Sequence, residues 1–300
     1  MMSLPTLPIP DLQETATRYL AWVRPLLDDA TYKQTQAKVA DFVAGIGSTL
    51  QQDLQDFAKI QAEQGESWLS EAWLHSYLAE RRSLPLSTSG AFRLDLHLPD
   101  SGLRRLAHLI AGLAKQSADY LNGCLEPNVS DRGEALDMRQ WLALRGISRV
   151  PQPDCDDLAL APLTPQQRVI IVFWQGAAFP IVVLDDNHRP VSVDAISQAL
   201  HELVAVDVET APLTPASLSV APAEQAAIHY RALQAASPQN SRNMAMLEHS
   251  LFHVHLSPQA FADDAEALRD LTFLVRTRFW AYKPLTICAN LENDNYFGYL

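Results

Sequence analysis

Leu12, Ala16, Tyr19, Leu20 and Val23 recur at intervals of three and four residues, the period of one helix face. The spacing predicts a helix that Asp11 caps, with Glu14 three positions on in an acidic variant of a capping box. A longer helical stretch is predicted from about Tyr32, with one apolar stripe through Val39, Phe42, Val43, Ile46, Leu50, Leu54 and Phe57. A third helix starts near Ser67 and carries Trp68, Leu69, Trp73, Tyr77 and Leu78. A fourth runs from about Leu103 to Leu121 and leaves at Asn122-Gly123, a usual helix exit. The Trp and Tyr side chains of this first half are expected in its core. Ahead of it, Pro5, Pro8 and Pro10 fix an extended lead-in.

The pattern changes in the second half. Four prolines punctuate Pro151 to Pro165, which reads as a connector. Beyond it, Arg168 to Trp174 and Phe179 to Leu184 read as strands around the turn Gln175-Gly176. A helix is expected over about Val193 to Val204, and another, after a proline-marked loop, through Tyr230. Leu251 to Leu256 is an expected strand, Asp263 to Val275 a helix, and Leu285 to Asn290 the last strand. The expected organisation is a helical part over residues 1–150, a connector over 151–165 and an α/β part over 166–300. The fold class is thus α/β (α+β), a helical N-terminal part followed by a mixed β-sheet with packed helices.

Composition adds mainly exclusions. The formal charge of −12 speaks against broad nucleic-acid binding, which needs a basic surface to displace counterions. Three cysteines, Cys124, Cys155 and Cys288, are far apart and form no CxxC pair, so neither a zinc ribbon nor a disulfide framework is expected. Free thiols, together with an N-terminus lacking the basic and apolar regions of a signal peptide, point to a cytoplasmic protein without a membrane span. His201-Glu202 is half of a zinc-protease helix motif, but position 205 is Ala where the second ligand would stand. His253 and His255 alternate in a strand and share one face, where bonds to neighbours are expected rather than a metal. Gly45-Ile46-Gly47 lacks the third glycine and the preceding strand of a dinucleotide fingerprint.

Five stretches, taken in order, carry a resemblance. They are Leu4 to Leu27 with Arg18-Tyr19-Leu20, Ser67 to Leu78 (SWLSEAWLHSYL), Leu136 to Asp156 (LDMRQWLALRGISRVPQPDCD), the strand-turn-strand-helix of Val169 to Val204, and Arg278 to Ile287 (RFWAYKPLTI). Together they resemble the choline/carnitine O-acyltransferase family, whose blocks read "NWLSEWW…YL", "MxQY…RxP" and "NRWFDKxL". The resemblance implies two similar α/β domains related to chloramphenicol acetyltransferase, with the active site in a tunnel between them. It implies acyl transfer between CoA and the hydroxyl of choline or carnitine. There a His removes the alcohol's proton and nearby donors hold the oxyanion.

Carried onto this chain, the resemblance implies substrate-pocket candidates Met138, Gln140 and Trp141 and no metal. The family's Tyr is Trp141 here, and its Asp aligns with Tyr282. Its catalytic His follows the strand that here is Leu285 to Asn290, and so is expected beyond Leu300, together with the second domain. Glu248-His249-Ser250 imitates that motif but stands in the family's helix-then-strand segment upstream, where a helix-end His is expected. The paired Met at the start reads as a natural beginning. The chain alone is therefore expected to be inactive, with CoA or acyl-CoA a co-substrate only when the missing half is supplied. A C-terminal-half partner chain or a homo-oligomer is the expected assembly. The alternatives are a non-catalytic scaffold or binding protein, one half of a split enzyme, or a fragment of a longer active protein.

Overall fold

A computed structural model describes residues 4, 6–84, 89–160, 168–209, 214–257, 261–273 and 279–299. The chain divides into two compact units, one of Met1–Ser76 and Asn128–Asp137, the other of Tyr77–Pro127 and Met138–Leu300.

The first unit is helical: α1 (Leu12–Val23), α2 (Asp29–Ala44), α3 (Ile46–Glu63) and the start of α4 (Ser70–Leu78). Asp11 caps α1 as expected, its carboxylate accepting from the backbone N–H groups of Gln13 and Glu14. The single helix expected from Tyr32 to Phe57 is two. Gly45 breaks it with φ −105° and ψ −118°. At Gly47 a Cβ would stand 2.6 Å from the carbonyl oxygen of Phe42, so the two glycines serve the break between α2 and α3. The expected aromatic core is not found. Trp22 (76% exposed), Trp73, Tyr19 and Tyr77 face solvent, and so do Phe42, Ile46, Leu50 and Phe57 of the apolar stripe. The periodicity marks a helix face correctly without saying what covers it.

The second unit is built on a six-stranded sheet of order β1-β8-β7-β6-β4-β5. Its strands are β1 (Ala91–Leu94), β4 (Val169–Trp174), β5 (Ala177–Val182), β6 (His253–Ser257), β7 (Thr286–Asn290) and β8 (Tyr296–Tyr299). β4, β6 and β7 run parallel, and the other pairings are antiparallel. The β4–β5 turn is where it was expected, with positive φ at Gln175 and Gly176, the backbone of a tight hairpin. Neither β1 nor β8 was expected. Both are four-residue strands, too short for an alternation to register.

Alternation splits the strands between two cores. Ile170, Val172, Val254, Leu256, Ile287 and Ala289 pack with α5 (Gly102–Leu121) and α6 (Val193–Val204). Ile171, Phe173, Cys288, Phe297 and Tyr299 face the other way, toward α7 (Ala223–Ala236), α8 (Pro238–His249), α9 (Asp264–Phe273) and the segment 279–282. β2 (Ile147–Val150) and β3 (Asp157–Leu160) form a separate antiparallel pair. β3 thus lies inside the stretch read as a connector, whose residues 161–165 lie outside the described residues. Residues 274–278, the end of the expected last helix and Arg278, lie outside them too.

Candidate functional site

The second core is where chemistry-bearing side chains gather. α8 starts at Ser237, whose hydroxyl accepts from the N–H groups of Gln239 and Asn240, with Pro238 in its first turn. It ends at Glu248-His249, beside the start of β6. Glu248 is buried and accepts a hydrogen bond from the Tyr230 hydroxyl of α7, which in turn accepts from Gln234 Nε2 at 2.9 Å. The wholly buried Lys283 donates from Nζ to the Glu248 carbonyl oxygen at 2.8 Å.

His253, 0% exposed, is the next group along. Its Nε2 lies 3.0 Å from both the Leu247 carbonyl and Ser250 Oγ. A carbonyl only accepts, so Nε2 carries the proton, and Nδ1 is left without a partner among the described residues. Burial sets the charge state of the group. It holds the His253 imidazole well below its usual range, with the neighbouring Lys283 adding to the effect, and holds Lys283 well below the ordinary ammonium range. Burial likewise raises the Glu248 carboxyl, and lowers His249 together with the charge of Lys283. Tyr230, Glu248, His253 and Lys283 are all buried, an arrangement that suits structure more than proton exchange with a substrate.

Two of the blocks that carried the resemblance, Leu136 to Asp156 and Arg278 to Ile287, meet beside this network. Gly146 follows the 3₁₀ turn Arg139–Arg145 with φ +82°, and a Cβ there would stand 2.5 Å from the His249 carbonyl oxygen. One residue pair on, Ser148 Oγ donates to the Tyr282 carbonyl at 3.2 Å and accepts from Trp280 Nε1 at 3.3 Å. The Arg149 N–H donates to the same Tyr282 carbonyl. The Arg149 side chain donates to Asp156 and to the carbonyls of Leu78 and Glu80. Arg81 is the second cation on Asp156, at 2.9 Å.

The candidates expected from the resemblance lie in the 3₁₀ turn. Met138 caps it, Gln140 is exposed, and Trp141 is half-buried, its backbone N–H donating to the Met138 carbonyl. They stay together, but none lines the cavity found in this unit. That cavity, about 470 Å³, lies against β4, the edge strand β5 and α8, and includes Ile171, Phe173, Ala178, Met244 and Leu247. Sequence reasoning missed Tyr230, Glu248 and Lys283 as a group. Its one available signal was a lone Lys in the apolar run Phe279 to Ile287. His253 does bond to its neighbours, as expected for that strand. His201 Nδ1 lies 2.7 Å from the Ser197 carbonyl of its own helix. Among the described residues no group of three or more His, Cys, Asp and Glu side chains is placed to hold a metal ion. No described helix is long and apolar enough to cross a membrane.

The buried imidazole makes acid stability a direct readout of this network. In the unfolded chain His253 titrates near 6.5, and in the folded chain well below it. Between those values the unfolded state binds the extra proton, so its contribution is present at pH 7.5 and is lost as pH falls. Glu248, raised on folding, acts in the opposite sense above pH 4.5. On lowering the pH from 7.5 to 5.5, the wild type should therefore lose about 1 kcal/mol more unfolding free energy than His253→Gln. Urea titrations at the two pH values measure this, and equal losses in both proteins would show His253 not to be the group.

A six-stranded mixed sheet with helices packed on both faces makes the second unit an α/β domain. The Choline/Carnitine o-acyltransferase family model matches residues 7–297, and the chain belongs to that family. Choline O-acetyltransferase of Homo sapiens is 28% identical over 284 residues, which cover 90% of this chain and 37% of that protein. Carnitine O-palmitoyltransferase 2, mitochondrial, of Rattus norvegicus is 30% identical over 218 residues, 62% of this chain and 32% of that protein. The chain thus spans about a third of the length of these relatives.

Proposed function

We propose that this chain takes part in acyl transfer between a CoA thioester and the hydroxyl of a quaternary-ammonium alcohol, choline or carnitine. The observation that carries the reading is the family match over nearly the whole chain. It is supported by the way separate blocks of the resemblance pack onto one buried network. We further propose that these 300 residues do not turn over alone, and that a chain carrying the family's second domain completes them. None of the nine histidines lines the 470 Å³ cavity. An alcohol needs a positioned base before it can attack a thioester. His253 is fully buried with its proton-bearing nitrogen committed to Leu247. Exposed Trp22, Leu26 and Trp73 support a partner chain or self-association. A cytoplasmic location belongs to the same reading, on three cysteines that form no disulfide among the described residues.

Thiol release from acetyl-CoA or palmitoyl-CoA, with choline or carnitine as acceptor, tests this. The 300-residue chain should release thiol at the uncatalysed rate, and above it when a polypeptide carrying the second domain is added. Turnover by the chain alone, lost on His249→Ala, would overturn the proposed division of labour. Silence with every complement would leave the non-catalytic scaffold as the better reading, a fold kept with its buried network but without the reaction.

A further inference from the structure

The 470 Å³ cavity beside β5 uses none of the buried network's polar groups. It exists because Gly176, Ala177 and Ala178 carry little or no side chain along the edge strand, opposite Met244 and Leu247 of α8. No charged side chain lines it among the described residues. A charged ligand entering it would lose hydration without compensation. Two amides are its polar features. Asn240 and Asn243 stand three residues apart on α8 and so share one face. Asn240 Nδ2 donates to the Leu233 carbonyl at 2.8 Å, which leaves its Oδ1 as an acceptor. Asn243, exposed at the rim, accepts from Gln239 Nε2 at 2.8 Å through Oδ1, which leaves its Nδ2 as a donor.

We propose that this cavity is a binding site for an uncharged aliphatic amide, its chain on Ile171, Phe173, Met244 and Leu247 and its amide group between Asn240 and Asn243. The amide is the head group that matches one spare acceptor and one spare donor together, through its N–H and its carbonyl. An alcohol or ester satisfies the pair less completely, and a carboxylate brings a charge that nothing in the lining neutralises. At about 30 Å³ per water-sized group, the volume holds on the order of fifteen non-hydrogen atoms, which sets the chain at medium length. Cavities of this size, apolar with a few placed polar groups, are the common form of small-molecule sites.

Isothermal titration of the 300-residue chain with octanamide and with octanoate tests the proposal. Octanamide should bind with a negative heat-capacity change, and octanoate about tenfold more weakly or not at all. Asn243→Leu should lower octanamide affinity by about tenfold while leaving the thermal midpoint of the chain unchanged, since the side chain is exposed. Ala178→Phe fills the cavity from an exposed position on the edge strand and should abolish binding in a folded protein. The proposal is overturned by no heat from octanamide up to its solubility, by octanoate binding as tightly, or by Ala178→Phe binding as the wild type does.

Discussion

Asp156→Ala is expected to lower the unfolding free energy by about 3–5 kcal/mol. The carboxylate is 0% exposed, and three donors converge on it: Arg149 Nε at 2.6 Å, Arg81 at 2.9 Å and the Gln152 N–H at 3.0 Å. Arg149 is itself only 9% exposed. Removing the anion leaves this guanidinium buried with carbonyl acceptors but no counter-charge, and that uncompensated charge, more than the lost hydrogen bonds, sets the size of the effect. Arg81, about a third exposed, can rehydrate and contributes less. Asp156→Asn keeps an acceptor oxygen for one donor and should cost less than Asp156→Ala. Urea unfolding of the two variants beside the wild type measures the series. An Asp156→Ala protein within about 1 kcal/mol of wild type would show that water reaches Arg149 and that the triad is not an anchor.

That triad also shows what could and could not be read from the amino acids in order. The stretch Leu136 to Asp156 was recognisable as a block, and its candidates Met138, Gln140 and Trp141 share one turn, though none is in the lining of the 470 Å³ cavity. Its structural residues are Gly146, Ser148, Arg149 and Asp156, and each acts through a partner far along the chain: His249, Trp280, Tyr282, Leu78. Local spacing carries no information about such partners. Where a feature is local, the sequence is enough. Asp11 caps its helix, Gln175-Gly176 turns the hairpin, and Asn122-Gly123 ends α5 with Gly123 at φ +67°.

The errors have the same cause. Periodicity shows that Ile46, Leu50 and Phe57 share a helix face but not whether anything packs on it, and they are exposed. A hydrophobic repeat passes through Gly45 unbroken because the break there depends on backbone angles and on the nearness of Phe42 to Gly47. β8 forms because β7 and β1 flank it, a condition absent from the four residues YFGY themselves. The row on β6 and β7 that includes His253, His255, Ser257, Thr286 and Asn290 is buried as well, with His253 bonded to its neighbours as the strand pattern led one to expect.

The segment that holds these distant partners together is Phe279 to Lys283, and Trp280→Ala is the substitution that tests it. Trp280 is 0% exposed and is among the largest fully buried side chains of the protein. Truncating a buried Trp removes its transfer free energy and leaves a cavity, together about 3–5 kcal/mol. The indole also donates to Ser148 Oγ and meets the Tyr282 ring edge-on at 5.2 Å. Its loss should therefore loosen two contacts beyond its own volume. One is the Arg149 N–H on the Tyr282 carbonyl, and the other is Lys283 on the Glu248 carbonyl. Hydrogen exchange distinguishes this from simple destabilisation. In Trp280→Ala the Arg149 amide should lose more protection than amides of the β4–β6 pairing, which the other face of the sheet holds through α5 and α6. Trp280→Phe keeps most of the apolar volume and forfeits the N–H donor, so it should fall between wild type and Ala. Uniform loss of protection across β2, β4 and β6 would mean that the second unit opens only as a whole, and that the 279–283 segment is not the clasp joining these blocks.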